Sequence, residues 1–271
     1  MRAGLKQTMA VGILSVVLAS GCGSQSHPAT TSITVFASSA MIKSLTAIGK
    51  QFEAENPGTS VEFIFASSSD LSAELADGND ADVFVSGDYD NMSAVATAGL
   101  TASTPSPIAA NSLVIATNPG NHGNPASLAD LARPDVRTAV CGGPGACGAA
   151  TQQLEDRTGV RLHPQNIDTT GTDVLRDITS KRVDAGLVFK TDALNVGDNV
   201  SWFDFPEAAD ATVTSWIAPM KDSDQAGLAT KFIQDVTGAT GRKVFADDGF
   251  AEPSKKFETY ATQAPRGRPP A

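Results

Sequence analysis

The chain reads as an α/β protein whose parallel sheets are covered by helices, and three observations carry that reading. Short β-rich apolar runs alternate with segments whose apolar residues recur every three or four positions. A serine-rich turn appears twice between a strand-like run and a helical one. The 271 residues, 41% of them hydrophobic, are enough for one large or two modest cores.

The elements follow in order. Ile33-Thr-Val-Phe36 is a short β-rich stretch. Met41, Leu45, Ile48 and Phe52 then recur at spacings of four, three and four, one face of a helix that Asn56-Pro57-Gly58 stops. Residues 61–65 predict the next strand, and Leu71 with Leu75 a helix closed at Asp77-Gly78. Residues 82–86 and 91–98 repeat the pattern as far as Gly99. Further strands are predicted at 112–117, 138–141 and 185–189, with helices near 148–157 and 173–181. A short helix turns out of Phe189-Lys190-Thr191-Asp192, and Thr172 is the expected cap of the 173–181 helix. Near the C-terminus, 212–218 reads as strand, and 225–236 and 240–247 as helices. Such late helices pack back on the first lobe in two-lobed binders. A βαβα order of this kind winds helices over parallel strands.

The termini speak of location. Arg2 and Lys6 precede an apolar run from Met9 to Ser20 that is too short to span a bilayer, for which about 20 residues are needed. Leu18-Ala-Ser-Gly-Cys22 closes it like a bacterial lipobox, so 1–21 is expected to be an export signal and Cys22 a lipidated first residue. An ordinary secretory signal with a coincidental cysteine is the other reading. Residues 22–31 would be a polar tether holding the domain off the membrane, and 255–271 a loose tail. An extracytoplasmic location favours a disulfide between Cys141 and Cys147, whose glycine-rich spacer Gly-Gly-Pro-Gly-Ala permits closure. Two free buried thiols are the alternative.

Composition excludes several functions. Twenty Lys and Arg against thirty Asp and Glu give a formal charge of −10, and no basic stripe is present to displace nucleic-acid counterions. His27, His122 and His163 are too scattered for a conventional zinc site, so no metal centre is expected. The serine-enzyme signatures G-x-S-x-G and S-x-x-K are absent. What remains is a binding protein, or an enzyme whose site carries none of these signatures, and a binding protein without catalysis is the expectation.

The candidate chemistry lies in the two echoing turns, Phe36-Ala-Ser-Ser-Ala40 and Phe65-Ala-Ser-Ser-Ser69, 29 residues apart. A strand feeding a serine-rich turn into a helix start gathers hydroxyls and backbone N–H groups at one point, where the helix dipole adds about half a positive charge. In open α/β sheets ligands sit at these carboxyl ends of strands. Ser38, Ser39, Ser67, Ser68 and Ser69 are candidate donors, and plain N-capping is the competing reading. The helix starts at Cys147-Gly148-Ala149-Ala150, at Thr172-Asp173-Val174 and after Phe189 are three further candidates. Lys190 reads as a solvated lysine.

Several stretches resemble one family: Ile33-Thr-Val-Phe-Ala-Ser-Ser-Ala40, Phe65-Ala-Ser-Ser-Ser-Asp-Leu71, Ala81-Asp-Val-Phe-Val-Ser86 and Asp184-Ala-Gly-Leu-Val-Phe189. Asn111-Ser-Leu-Val-Ile-Ala116, Pro206-Glu-Ala-Ala209 and Gly249-Phe250 fit the same pattern. Together they are similar to the periplasmic molybdate- and tungstate-binding lipoproteins of ABC importers, from about Ile33 to Pro253. The resemblance implies a type II periplasmic-binding-protein fold with two α/β lobes, a hinge and a ligand cleft between them. Lobe one would comprise 32–110 and 215–254, and lobe two 111–214.

The resemblance also implies site residues. The second-loop serine of the family falls on Ser68, and its main-chain contacts in lobe two fall on Cys147 and Val174. Two positions depart. The first-loop serine falls on Ala40, and the frequent cleft tyrosine falls on Phe189, which has no hydroxyl to donate. Ser39 is expected to replace the missing hydroxyl, with Ala40 giving its N–H. The implied ligand is a fully ionised dianion, molybdate or tungstate, held without any cofactor. Sulfate, phosphate or a small organic acid are the rivals, and Asp70 or Asp173 would supply the acceptor that a protonated phosphate needs. The implied partners are a membrane permease of an ABC importer and the membrane itself through the lipid. A monomer that closes about its hinge is expected.

Overall fold

In a computed structural model, which describes residues 31–120, 125–143, 145–168 and 170–254, the first strand sets the architecture. β1 (Thr31–Ser38) sends Ile33, Val35 and Ala37 into one buried cluster and Phe36 into another. The sheet it enters is therefore covered on both faces. The expected leader, Cys22 and tail lie outside the described residues, as does the tether apart from Thr31, which opens β1.

After a single 3₁₀ turn come α1 (Ile42–Glu55), β2 (Thr59–Ala66), α2 (Ser68–Ala76), β3 (Val83–Ser86), α3 (Tyr89–Thr97) and β4 (Ser106–Asn111). One residue, Ser112, then separates β4 from β5 (Leu113–Thr117). There follow α4 (Leu128–Leu131), β6 (Thr138–Cys141), α5 (Ala146–Thr158), β7 (Asn166–Asp168), α6 (Gly171–Thr179), β8 (Ala185–Phe189), α7 (Lys190–Val196) and β9 (Ser201–Phe203). The chain closes with β10 (Val213–Pro219), α8 (Ala226–Thr237) and α9 (Ala239–Asp247).

Two five-stranded sheets result, with orders β2-β1-β3-β10-β4 and β7-β6-β8-β5-β9. The expectation of parallel sheets needs correction, because both are mixed. β1 runs parallel to β2 and β3, and β6 parallel to β7 and β8, but β10 is antiparallel to β3 and β4 and β5 to β8 and β9. Parallel neighbours need a helical crossover within one sheet. β5 and β10 arrive instead by passages from the other sheet, and so enter head to tail. A second correction concerns capping: the side chain that caps α6 is that of Thr170, while Thr172 lies exposed inside the helix. Thr170 has the extended backbone of a cap and one residue fewer to the first helical amides.

The first sheet is held on one face by Leu45, Ile48 and Phe52 of α1 against Phe232 and Val236 of α8 and Phe245 of α9. Phe52 and Phe232 meet edge to face, with ring centroids 5.4 Å apart. On the other face, Leu71 and Leu75 of α2 and Met92 and Val95 of α3 cover Phe36, Phe84 and Trp216. Each such buried ring contributes about 2–3 kcal/mol. In the second sheet Leu113, Ile115, Val140 and Leu187 pack with Leu154, Val174 and Ile178.

Two contacts join the sheets near the passage between them, where Lys190 N–H extends the β5–β8 ladder to the Ser112 carbonyl at 3.0 Å. Asn111 Nδ2 donates to Thr191 Oγ1 at 2.9 Å in a buried pair. Gly249 lies so close to α7 that a Cβ on it would stand 2.1 Å from Leu194 Cδ1.

Candidate oxyanion-binding site

β1, β2 and β3 end side by side, and the turns that leave them bring two hydroxyls to one glycine. Ser38 is the last residue of β1 and Ser68 the first of α2, both buried. Gly87 follows β3, and its N–H donates to Ser68 Oγ at 2.9 Å. A Cβ on Gly87 would stand 2.8 Å from Ser38 Oγ and 3.4 Å from Ser68 Oγ, so glycine is needed for all three to meet. Because Ser68 Oγ accepts from Gly87, its own O–H is left to donate.

The other residues of the echo have different places. Ser67 is the N-cap of α2: its Oγ accepts from Asp70 N–H at 3.1 Å and lies 2.9 Å from Ser69 Oγ. The capping reading therefore describes Ser67. Ser39 and Ala40 are exposed in the 3₁₀ turn that precedes α1. The hydroxyl beside Ser68 is that of Ser38, one residue before the serine chosen from the sequence.

In the second sheet the parallel strands end in helix starts that offer amides in place of hydroxyls. Cys147 is the second residue of α5, and its sulfur is 2.02 Å from that of Cys141, the last residue of β6. Ala149 N–H bonds to the Gly145 carbonyl at 2.9 Å, so the amides of Ala146, Cys147 and Gly148 precede the helix's own ladder. A Cβ on Gly148 would lie 2.5 Å from the Gly143 carbonyl oxygen, so only glycine lets α5 start this close to the loop. Gly142 N–H donates to the Asp168 carbonyl at 2.8 Å and ties this loop to the end of β7.

At α6, Val174 N–H is taken by the Thr170 carbonyl at 3.2 Å. The amides ahead of the ladder here are those of Gly171 and Thr172, three and two residues before the expected contact. Asp173 accepts from Thr170 Oγ1 at 2.8 Å and pairs with Arg176 at 2.7 Å. Phe189 is buried at the end of β8, with its ring in the second core.

The charged side chains nearby are largely engaged with one another. Lys190 Nζ lies 3.3 Å from Asp204 and 4.8 Å from the centre of the Trp202 ring. Asp177 is paired with Arg182 and hydrogen-bonded by Asn166. Burial raises the Asp168 carboxyl above its ordinary range, and the neighbouring Asp177 and Asp173 charges add to the effect. Asp192 stands against the start of α6, where a Cβ on Gly171 would come within 2.3 Å of its Oδ2. Burial pushes its pKa up to about 6. Among the described residues no group of His, Cys, Asp and Glu is arranged to hold a metal ion, and no helix is long and apolar enough to cross a membrane.

Sequence reading missed Gly87 and Asp192. A glycine directly after the 82–86 strand was the available signal for the first. Nothing local marks Asp192, whose position depends on α7 packing on α6.

The model of the bacterial extracellular solute-binding protein family matches residues 33–251. The chain belongs to that family. Over 257 residues, this solute-binding protein is 41% identical to the molybdate-binding protein ModA of Mycobacterium bovis, across 90% of this chain and 98% of the relative. The solved structure of the Azotobacter vinelandii periplasmic molybdate-binding protein matches it with a TM-score of 0.66 at 18% identity, over 82% of this chain and all of the other. The sulfate-binding protein SubI of Mycobacterium tuberculosis matches with a TM-score of 0.68 at 18% identity, over 86% and 91% of the two chains. At that identity the structures speak for the fold alone. It is the two-lobed type II fold of periplasmic binding proteins.

Proposed function

We propose that this solute-binding protein captures molybdate, and tungstate with it, and delivers the anion to the membrane permease of an ABC importer. The carrying observation is the meeting of the Ser38 and Ser68 hydroxyls at Gly87, with no cation among them. The likeness to ModA over nearly its whole length supports the choice of anion. In this reading the amides of Cys147, Gly171 and Thr172 supply the second half of the site, and Ser39, Ala40, Ser67, Asp173, Val174 and Phe189 belong to the turns and element ends that frame it. A site built of donors suits a dianion that carries no proton. The net charge of −10 does not oppose this, because exposed carboxylates beyond about 8 Å are screened.

In this reading lobe one spans 32–110 and 215–254 and lobe two 111–214. Sheet membership supports the division, since β5 to β9 form one sheet and the remaining strands the other. The anion bridges the lobes and shifts an open–closed equilibrium toward the closed form. The protein acts as a monomeric carrier without chemical turnover, anchored outside the cytoplasm through lipid on Cys22, with Cys141 and Cys147 oxidised.

Asp192 favours a second reading. A protonable carboxyl at the α6 start offers the acceptor that hydrogen phosphate requires. Isothermal titration with molybdate, tungstate, sulfate and phosphate separates the two. Tight molybdate and tungstate binding with far weaker sulfate and phosphate is the expected result; phosphate as the tightest ligand overturns it.

A further inference from the structure

The loop that carries the Cys147 amide is fastened at several points. The disulfide joins the end of β6 to the second residue of α5 with a Cα–Cα distance of 5.6 Å. The Gly142–Asp168 bond and the close seat of Gly148 on Gly143 hold the same turn. Gly143 has a positive φ of 78°, and the turn contains Gly142 and Gly145 besides. A glycine-rich segment of this kind has large conformational freedom of its own. The covalent link removes much of it, and does so three bonds away from a candidate donor, the Cys147 amide nitrogen.

We propose that the Cys141–Cys147 disulfide is a positioning element of the oxyanion site, holding the start of α5 so that its amides are aimed before the anion arrives. This rests on the reading of the site given above. Both cysteines are buried in the second core, Cys141 at 2% and Cys147 at 8% exposure, so the link anchors the donor turn to packed structure and not to another mobile loop. The single Gly142–Asp168 hydrogen bond is a weak substitute for a covalent link. Cleavage by a dithiol reductant would proceed by thiolate attack on one sulfur and resolution of the mixed disulfide by the second thiol. The protein gains two electrons and two protons as two thiols, and the reductant leaves as its own disulfide. The freed turn must then be ordered by the anion itself, at a cost in affinity.

The test is titration with tungstate of the oxidised protein, of the protein reduced with dithiothreitol and freed of reductant under nitrogen, and of the double variant C141S/C147S. Ser68→Ala serves as a reference for loss of a direct contact. The expected result is binding about tenfold weaker in the reduced protein and the double variant, with unchanged far-ultraviolet circular dichroism at the temperature of titration. The amide resonances of residues 147 and 148 should shift on tungstate addition in the oxidised protein, and shift less in both other forms. Equal affinity in all three forms, with only the melting temperature lowered, overturns the proposal while leaving the site intact, as weaker binding by Ser68→Ala would show. Failure of the oxidised protein to bind any of the four oxyanions overturns the site and this proposal together.

Discussion

The two halves of the candidate site present the same chemistry by different means. In lobe one the donors are side chains, Ser38 and Ser68, gathered at a glycine that belongs to a third strand. In lobe two they are main-chain amides at the starts of α5 and α6, set by a disulfide, a glycine seat and a threonine cap. Side-chain donors can be deleted one at a time. Amides cannot be deleted, so that half is vulnerable only where its backbone is forced to move.

The largest expected effect follows from forcing such a movement. Gly148→Ala places a methyl 2.5 Å from the Gly143 carbonyl oxygen, and the start of α5 must shift with all its amides. Molybdate affinity by calorimetry should fall by more than about a hundredfold, because several donors are misaligned together. Ser68→Ala removes one hydroxyl and leaves the rest in place. A hydrogen bond to a charged group is worth about 2 kcal/mol, so the loss should be some thirtyfold in Kd. If the glycine substitution proves milder than the serine one, the division between the halves is wrong.

A smaller effect concerns Asp192. Its folded pKa of about 6 lies above the unfolded value of 3.8, so folding favours its protonated form. The resulting penalty is absent below about pH 4, grows as pH rises, and is complete above about pH 6. Asp192→Asn removes it: thermal unfolding should show the variant more stable than the parent at pH 7, by up to about 3 kcal/mol, with the advantage nearly gone at pH 4. An equal difference at both values would mean that ionisation of Asp192 is not the cause. The smallest effect is that of Ser67→Ala, which loses the α2 cap for about 1 kcal/mol of stability. Its molybdate affinity should match the parent's, and a clear fall would move Ser67 from cap to ligand.

Much of the framework was legible because local pattern and burial agree. Strands 138–141 and 185–189 are fully apolar-faced runs between turn residues, and the structure gives them those same limits. Ser106–Asn111 was missed because Pro107 interrupts it and Ser112 is all that parts it from the next strand. β7 and β9, of three residues each, are too short for any periodicity. The antiparallel placing of β5 and β10 was invisible, since strand direction follows from which sheet the chain has just left. In the candidate site, the serine echo pointed to the two turns that meet at Gly87. The choice among neighbouring serines depended on Gly87, which reaches β1 only through sheet pairing. Thr170 and Thr172 both stand near the start of the same helix, and sequence alone could not rank them as caps.

The position of β10 has a consequence for biogenesis. It lies between β3 and β4, although more than a hundred residues separate it from either along most of the chain's length. While the polypeptide is still being made, the sheet of residues 31–111 has a gap between β3 and β4 that only residues 213–219 fill. The second sheet, by contrast, is complete by Phe203. Assembly therefore runs against the order of synthesis: the later-made lobe closes first, and the first-made one waits with two strand edges open. An exported chain in this condition needs to be kept apart from its neighbours until the last quarter has emerged.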